Sequence, residues 1–330
     1  MTVTIGRRVL LAALGGAAAA WPLAARAQQA TMPVIGFLYV GSLAPIANSV
    51  AAFRKGLSEM GYTEGRNVAL EFQSAEDSAR LPELAAELVR RQVAVIAAPG
   101  STAAAVAAKA ATTSIPVVFG IGQDAVPEGL VASLSRPGGN ATGVSTMNME
   151  LGGKRLGFLL DFVPGAVRIA MLVNPSNPAT AAFIADVRAV AATLGRQVEI
   201  VQANTSREID AAIANSVQKH VDALLVGTGA PFAQRRVQLA TLTARHAVPA
   251  IFSDRQYVEA GGLMSYGSSV TDMYRQVGIY TGRILKGEKP AELPVLQAAK
   301  FEFVINLHTA GLLGLEVPPT LLARADEVIE

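Results

Sequence analysis

Residues 33–42, PVIGFLYVGS, and residues 167–176, VRIAMLVNPS, read as one device written twice: an apolar run closing on a small or polar turn, 134 positions apart. Gly61 and Gly195, each ahead of the next extended run, keep the same spacing of 134. VAVIAAPG from Val93 pairs with VDALLVGTG from Val221 at 128, and IPVVF from Ile115 pairs with VPAIF from Val248 at 133. Four ordered matches at nearly one spacing point to a duplicated α/β lobe. The alternative is the general likeness of all α/β units, in which a hydrophobic strand and a small-residue turn recur.

Working outward from these pairs, short β-branched runs alternate with Ala/Leu-rich runs of helical period, the pattern of a parallel sheet covered by helices. Strands are expected at 34–40, 68–73, 93–98, 117–120 and 143–146, with helices near 49–60, 81–91 and 102–110. The second series has strands at 169–173, 197–202, 223–226 and 250–252, with helices near 179–194, 208–217 and 233–246. A helix near 255–260, a strand at 263–266, a helix near 272–285, a strand at 301–305 and a short helix near 309–313 follow. The fold class is therefore α/β: two Rossmann-like doubly wound parallel-sheet lobes joined by a multi-strand hinge. Crossings are expected near Met147, Phe252 and Pro294, which assigns 28–147 plus 254–293 to lobe 1 and 148–253 plus 294–330 to lobe 2.

Residues 1–27 read as a cleaved export signal: Arg7 and Arg8, an apolar run from Val9 to Leu23, then Ala25-Arg26-Ala27 before Gln28. The run is too short for a bilayer span of about 20 residues, and Pro22 breaks it. The arginine pair suits a twin-arginine signal, although Gly6 stands where Ser or Thr is usual, and Sec export stays open. The chain carries +2 at pH 7, but Arg7, Arg8 and Arg26 leave with the signal, so 25 basic face 26 acidic residues and the mature charge is −1. That balance argues against nucleic acid and supplies no drive toward an anionic membrane. With no cysteine there is neither disulfide nor thiolate metal site nor lipid-modified N-terminus, and a periplasm bounded by an outer barrier fits.

The chain resembles the ABC-transporter substrate-binding proteins of the type 1 periplasmic-binding fold, in the branch that includes tryptophan- and other aromatic-amino-acid-binding proteins. PVIGFLYVGS, LSEMGYTEGRNV, LAAELVRRQVAVIAAPGS, SIPVVFGIGQDAV, GLVASLSRPGGNATGVS, LVNPSNP, AGGLMSYG and YRQVGIYTGRILKGEKPAELPV carry the resemblance, in order and over nearly the whole mature chain. It implies a monomeric periplasmic solute-binding component that delivers a small molecule to permease subunits in the inner membrane, with no cofactor. A periplasmic sensing subunit for a membrane receptor is the alternative. The solute expected is an amino acid or related small carboxylate, aromatic or branched types among them.

In open parallel sheets ligands bind beyond the carboxyl ends of the strands, so the residues there are the candidates. In the first half these are Ser42, Ser101, Thr102, Gln123 and Asp124; in the second, Asn174, Ser176, Asn177, Thr228 and Asp254. Ser101 or Thr102 opens an Ala-rich helix whose free N–H groups suit a carboxylate, although plain capping uses the same donors. Asn174, Ser176 and Asn177 read as ligand contacts or as a turn and cap. Asp124 and Asp254 follow related strands and suit an ammonium group, or else an exposed loop and a partner for Arg255. Tyr266 and Tyr39 both suit stacking on an aromatic or apolar solute, and Tyr39 reads first as core packing.

No catalytic set emerges. The histidines are His220, His246 and His308, the first two at helix ends, where an imidazole caps carbonyls. Neither G-x-G-x-x-G nor a P-loop is present, and unclustered histidines with no cysteine offer no metal site. An enzyme is not expected.

Overall fold

The computed structural model describes residues 32–298 and 301–330, so the expected export signal lies outside the described residues. The first series runs β1 (Val34–Val40), α1 (Ala47–Glu59), β2 (Ala69–Ala75), α2 (Leu81–Arg90), β3 (Val95–Pro99), α3 (Thr102–Ala111), β4 (Val117–Ile121) and β5 (Ala141–Ser145). After α4 (Gly152–Phe162) the pattern restarts with β6 (Arg168–Val173), α5 (Thr180–Thr193), β7 (Gln197–Gln202), α6 (Ser206–Gln218) and β8 (Ala223–Val226). It continues with α7 (Ala230–Gln234), α8 (Arg236–Arg245), β9 (Ala250–Phe252), α9 (Arg255–Glu259) and β10 (Met264–Gly267). The chain closes through α10 (Val270–Leu285), β11 (Leu296–Gln297), β12 (Glu302–Asn306), α11 (Leu307–Leu312), α12 (Pro319–Leu322) and β13 (Glu327–Ile329).

Two sheets result. One has the order β11-β5-β4-β3-β1-β2 with every pair parallel. The other runs β13-β12-β10-β9-β8-β6-β7 and is parallel except where β12 meets β10. In each, the first five strands take the order second-first-third-fourth-fifth, the doubly wound arrangement that opens a crevice at the carboxyl ends. β3, β4 and β8 are apolar and wholly buried because helices cover both faces, whereas edge strands β2 and β7 are only partly covered.

The second crossing departs from the sequence expectation. Residues 254–267 belong to the second lobe, not the first: β10 pairs with β9 and β12, and Tyr266 packs on Phe158 of α4. The chain returns to the first lobe only after Gly267, when α10 packs against α1, and β11 then joins β5. The internal repeat explains this, because each half completes five strands before it crosses. Ser268 ties the first two crossings together: its N–H donates to Asn148 Oδ1 (2.9 Å), and its hydroxyl donates to the Thr146 carbonyl (3.2 Å). Between them Met147 takes a left-handed φ of 55°, a conformation a side chain rarely adopts outside strained or functional turns.

Helix α4 was not expected at all. GGKRLGFLLDF is glycine-rich and a poor helix former by itself. Its first two glycines serve tertiary contact, since a Cβ on Gly152 would lie 2.5 Å from the Phe183 ring of α5 and one on Gly153 would lie 2.7 Å from Val190. Packing thus overrides propensity, and the helix that results carries Arg155 into the interior. Strands β11 and β13, at the outer edges of the two sheets, were likewise unassigned.

Candidate ligand-binding cleft

The carboxyl ends of both sheets line a single cavity of about 120 Å³, counted as space open to the centres of water-sized molecules. It is well above the roughly 10–15 Å³ of such space needed to admit one water.

From the first lobe, Ser101 caps α3, its hydroxyl accepting from the Ala104 N–H (3.2 Å). The Thr102 hydroxyl donates to Gln123 Oε1 (3.0 Å), which fixes the amide with Nε2 as its free end. That nitrogen is buried and has no partner among the described residues, on a side chain that lines the cavity and is 4 % exposed. An unpaired buried amide donor is costly, and an acceptor brought in by a ligand would relieve it. The helix start adds backbone N–H groups and a partial positive charge at the same wall.

The second lobe supplies the opposite charge. Asp254 caps α9, one oxygen accepting from the Gln256 N–H (3.1 Å) and the other from the Ser253 hydroxyl (3.2 Å). Burial pushes its carboxyl from 3.8 up to about 6, against the lowering effect of those hydrogen bonds and of the Arg236 and Arg155 charges. Arg155 lies behind this wall, fully buried, with one N–H group donating to the Asn148 carbonyl and with Nε and Nη1 without a partner among the described residues. Burial brings its guanidinium down to about 10, offset in part by Asp254.

Three tyrosines form the apolar flanks: Tyr39, Tyr257 and Tyr274, each 2 % exposed or less. Tyr257 stacks on Phe252 at 4.9 Å, and the Tyr274 hydroxyl donates to the Pro99 carbonyl at 3.3 Å. Burial pushes the Tyr39 hydroxyl up to about 12, and it also raises Tyr257 and Tyr274, so all three present neutral hydroxyls.

Ser101, Thr102, Gln123, Asn174, Ser176, Asn177, Thr228 and Asp254 all come together on this cavity. Asn174 and Asn177 also hold the turn into α5, their side-chain oxygens accepting from the N–H groups of Ser176 (2.9 Å) and Ala179 (3.0 Å). Three expected residues stand elsewhere. Ser42 is exposed on the turn after β1. Asp124 spends its carboxylate on the Val126 N–H (3.0 Å) in a local turn away from the cavity. The offset of 133 that pairs Phe119 with Phe252 sets Ile121, not Asp124, opposite Asp254, and Ile121 does line the cavity. Tyr266 is core: it packs between Phe158 (4.8 Å) and Phe301 (6.1 Å), and its hydroxyl accepts from Lys154.

Tyr257, Tyr274, Arg236 and Asn148 were missed, and Tyr39 was read as core although it walls the cavity. Tyr257 and Arg236 were hidden inside helices whose rotation toward the cleft only packing determines. Tyr39 carried one usable signal, a polar-tipped aromatic one residue before a strand end.

The model of the ABC transporter substrate binding protein family matches residues 42–329. The chain is 28 % identical over 266 residues to the tyrosine-binding protein of Clostridioides difficile, covering 80 % of this chain and 76 % of that one. A solved ABC domain in complex with L-Trp from Streptococcus pneumoniae is 26 % identical, covers 91 % of this chain and all of its own, and superposes with a TM-score of 0.80. The ligand-free, open form of a substrate-binding protein with adhesive properties from Clostridium difficile is 25 % identical over 90 % of this chain and 99 % of its own, with a TM-score of 0.60. Among the described residues no helix is long and apolar enough to cross a membrane, and no group of three His, Asp or Glu is placed to hold a metal. With the family model spanning both lobes and the cavity between them, the chain belongs to the ABC transporter substrate-binding proteins, a small-solute-binding family on the type 1 periplasmic-binding fold.

Proposed function

We propose that this protein captures a zwitterionic amino acid with an aromatic or branched side chain in the periplasm and delivers it to the permease subunits of an ABC importer. The observation that carries the reading is the polarity of the cavity: unpaired donors on one wall, a buried carboxylate on the opposite lobe, and tyrosines between. The carboxylate of the solute sits against the start of α3 and Gln123 Nε2. Its ammonium sits against Asp254, and its apolar body lies among Tyr39, Tyr257 and Tyr274. The names of two relatives, one a tyrosine-binding protein and the other solved with L-Trp, support an aromatic solute.

Calorimetry on protein unfolded, washed free of solute and refolded should find at least one aromatic or branched L-amino acid binding at micromolar concentration or tighter. N-acetylated and amidated forms of the same compound should bind far more weakly. No heat across the amino-acid panel would end the assignment. Gln123→Met keeps the length of the side chain but removes the amide, and should weaken the same solute about tenfold; unchanged affinity would take Gln123 out of the carboxylate seat.

A further inference from the structure

Three consecutive residues at the α7–α8 junction reach from the second lobe onto the first. The Gln234 amide donates to the Val40 carbonyl at the end of β1. Arg235 pairs with Glu76 at 3.6 Å. Arg236 donates from one guanidinium nitrogen to the Pro45 carbonyl (2.7 Å) and from the other to the Ala233 carbonyl of its own lobe (3.0 Å). Val40 and Pro45 offer carbonyls that a strand end and a short turn leave open. Between them Gly41 takes φ +100°, and a Cβ there would lie 1.6 Å from Gln234 Nε2.

We infer that Gln234 and Arg235, flanked by Arg236 on the cavity wall, form a latch that holds the lobes together without a solute, and that Gly41 is the bare strike plate it needs. Gln234 and Arg235 do not themselves line the cavity, although their partners Val40 and Glu76 do, so their bonds to the first lobe are protein-to-protein contacts that need no solute to form. The latch therefore sets the fraction of ligand-free molecules already closed, and with it the apparent affinity for any solute. Its breakage must accompany release, so the dissociation rate carries most of its effect. The arrangement of lobes fits this role: the chain superposes better on the L-Trp complex, at 0.80, than on the ligand-free open form, at 0.60.

The test needs no solute. The chain lacks cysteine, so Lys55→Cys on α1 and Arg245→Cys on α8, both exposed, allow a spin label on each lobe. Distance distributions from ligand-free protein should show a closed population in the otherwise native chain. Gln234→Ala should reduce the closed-to-open ratio about tenfold, the effect of one lost hydrogen bond and its partner. Gly41→Ala should abolish the closed population. Because an alanine at φ +100° strains its own backbone, Gln234→Ala is the arm that separates latch loss from local distortion. Identical distributions in the native chain and both variants would overturn the latch. The second arm rests on the proposed function. With L-tyrosine and L-tryptophan as probes, Gln234→Ala should release whichever binds about tenfold faster, with association changed less than about threefold. If neither amino acid binds while the distances still shift, the solute assignment fails and the latch stands.

Discussion

Asp254→Asn is expected to weaken solute binding about a hundredfold while the ligand-free protein keeps its fold. Asparagine preserves the cap on α9, because its side-chain oxygen still accepts from the Gln256 N–H. The second oxygen becomes an amide nitrogen to which the Ser253 hydroxyl turns from donor to acceptor, and the charge is lost. Removing one member of a buried hydrogen-bonded charge pair costs about 2–5 kcal/mol, much of it for the partner left uncompensated. In the proposed function that partner is the solute ammonium, buried on closure. Calorimetry beside circular dichroism separates the two effects, and affinity within threefold of the native protein would remove Asp254 from the ammonium site.

The same residue makes binding depend on pH in a direction opposite to its effect on stability. An ammonium needs the ionised carboxylate, and burial has moved that ionisation up to about 6. Affinity should be flat from pH 8 to about 7 and then fall by up to about tenfold per pH unit below 6. For folding the sign reverses. Between the unfolded value of 3.8 and the folded value of about 6, the native state holds the extra proton. Stability contributed by this group is therefore fully present below pH 3.8 and is lost as pH rises through 6. Arg236 and Arg155 face the carboxylate and oppose the shift without cancelling it. Asp254→Asn should flatten the binding profile; a profile still falling below pH 6 in the variant would assign the titration to another group.

Gly278→Ala is expected to destabilise the protein strongly. Helices α1 and α10 cross so closely that a Cβ on Gly278 would stand 2.2 Å from the Phe53 carbonyl oxygen, and one on Gly56 would stand 2.0 Å from the Arg275 carbonyl oxygen. These neighbours are backbone, and no rotamer change relieves the clash. The helices must separate, opening a contact that Phe53, Leu57, Val277 and Ile284 now fill. Overpacking of this kind costs about 3 kcal/mol, which for a two-lobed chain of this size lowers the melting temperature by roughly 6–10 °C. Binding should suffer as well, because α10 carries Met273 and Tyr274 into the cavity wall. A melting temperature within 2 °C of native would show that the interface accommodates the methyl group.

The strands were readable because their signal is local. Continuous apolar runs such as VIAAP and ALLV are what a doubly covered parallel strand requires, and the turn after each exposes its polar residues at the sheet edge. Asn174, Ser176 and Thr228 could be placed at the cleft from that rule alone. Asp124 could not, since a shift of three residues along the loop decides between a cavity wall and a local turn. Arg155 was invisible for a different reason: its helix begins with two glycines and forms only through contact with α5.

From the order of residues alone came two doubly wound halves with polar strand ends, because periodicity and turn chemistry act over a few neighbours. Tertiary structure alone decided which carboxylate loses water and titrates near 6, which tyrosines line the cavity, and where one lobe grips the other. Those properties depend on solvent exclusion by segments far apart in the chain, such as Tyr39 against Tyr274 and Val40 against Gln234.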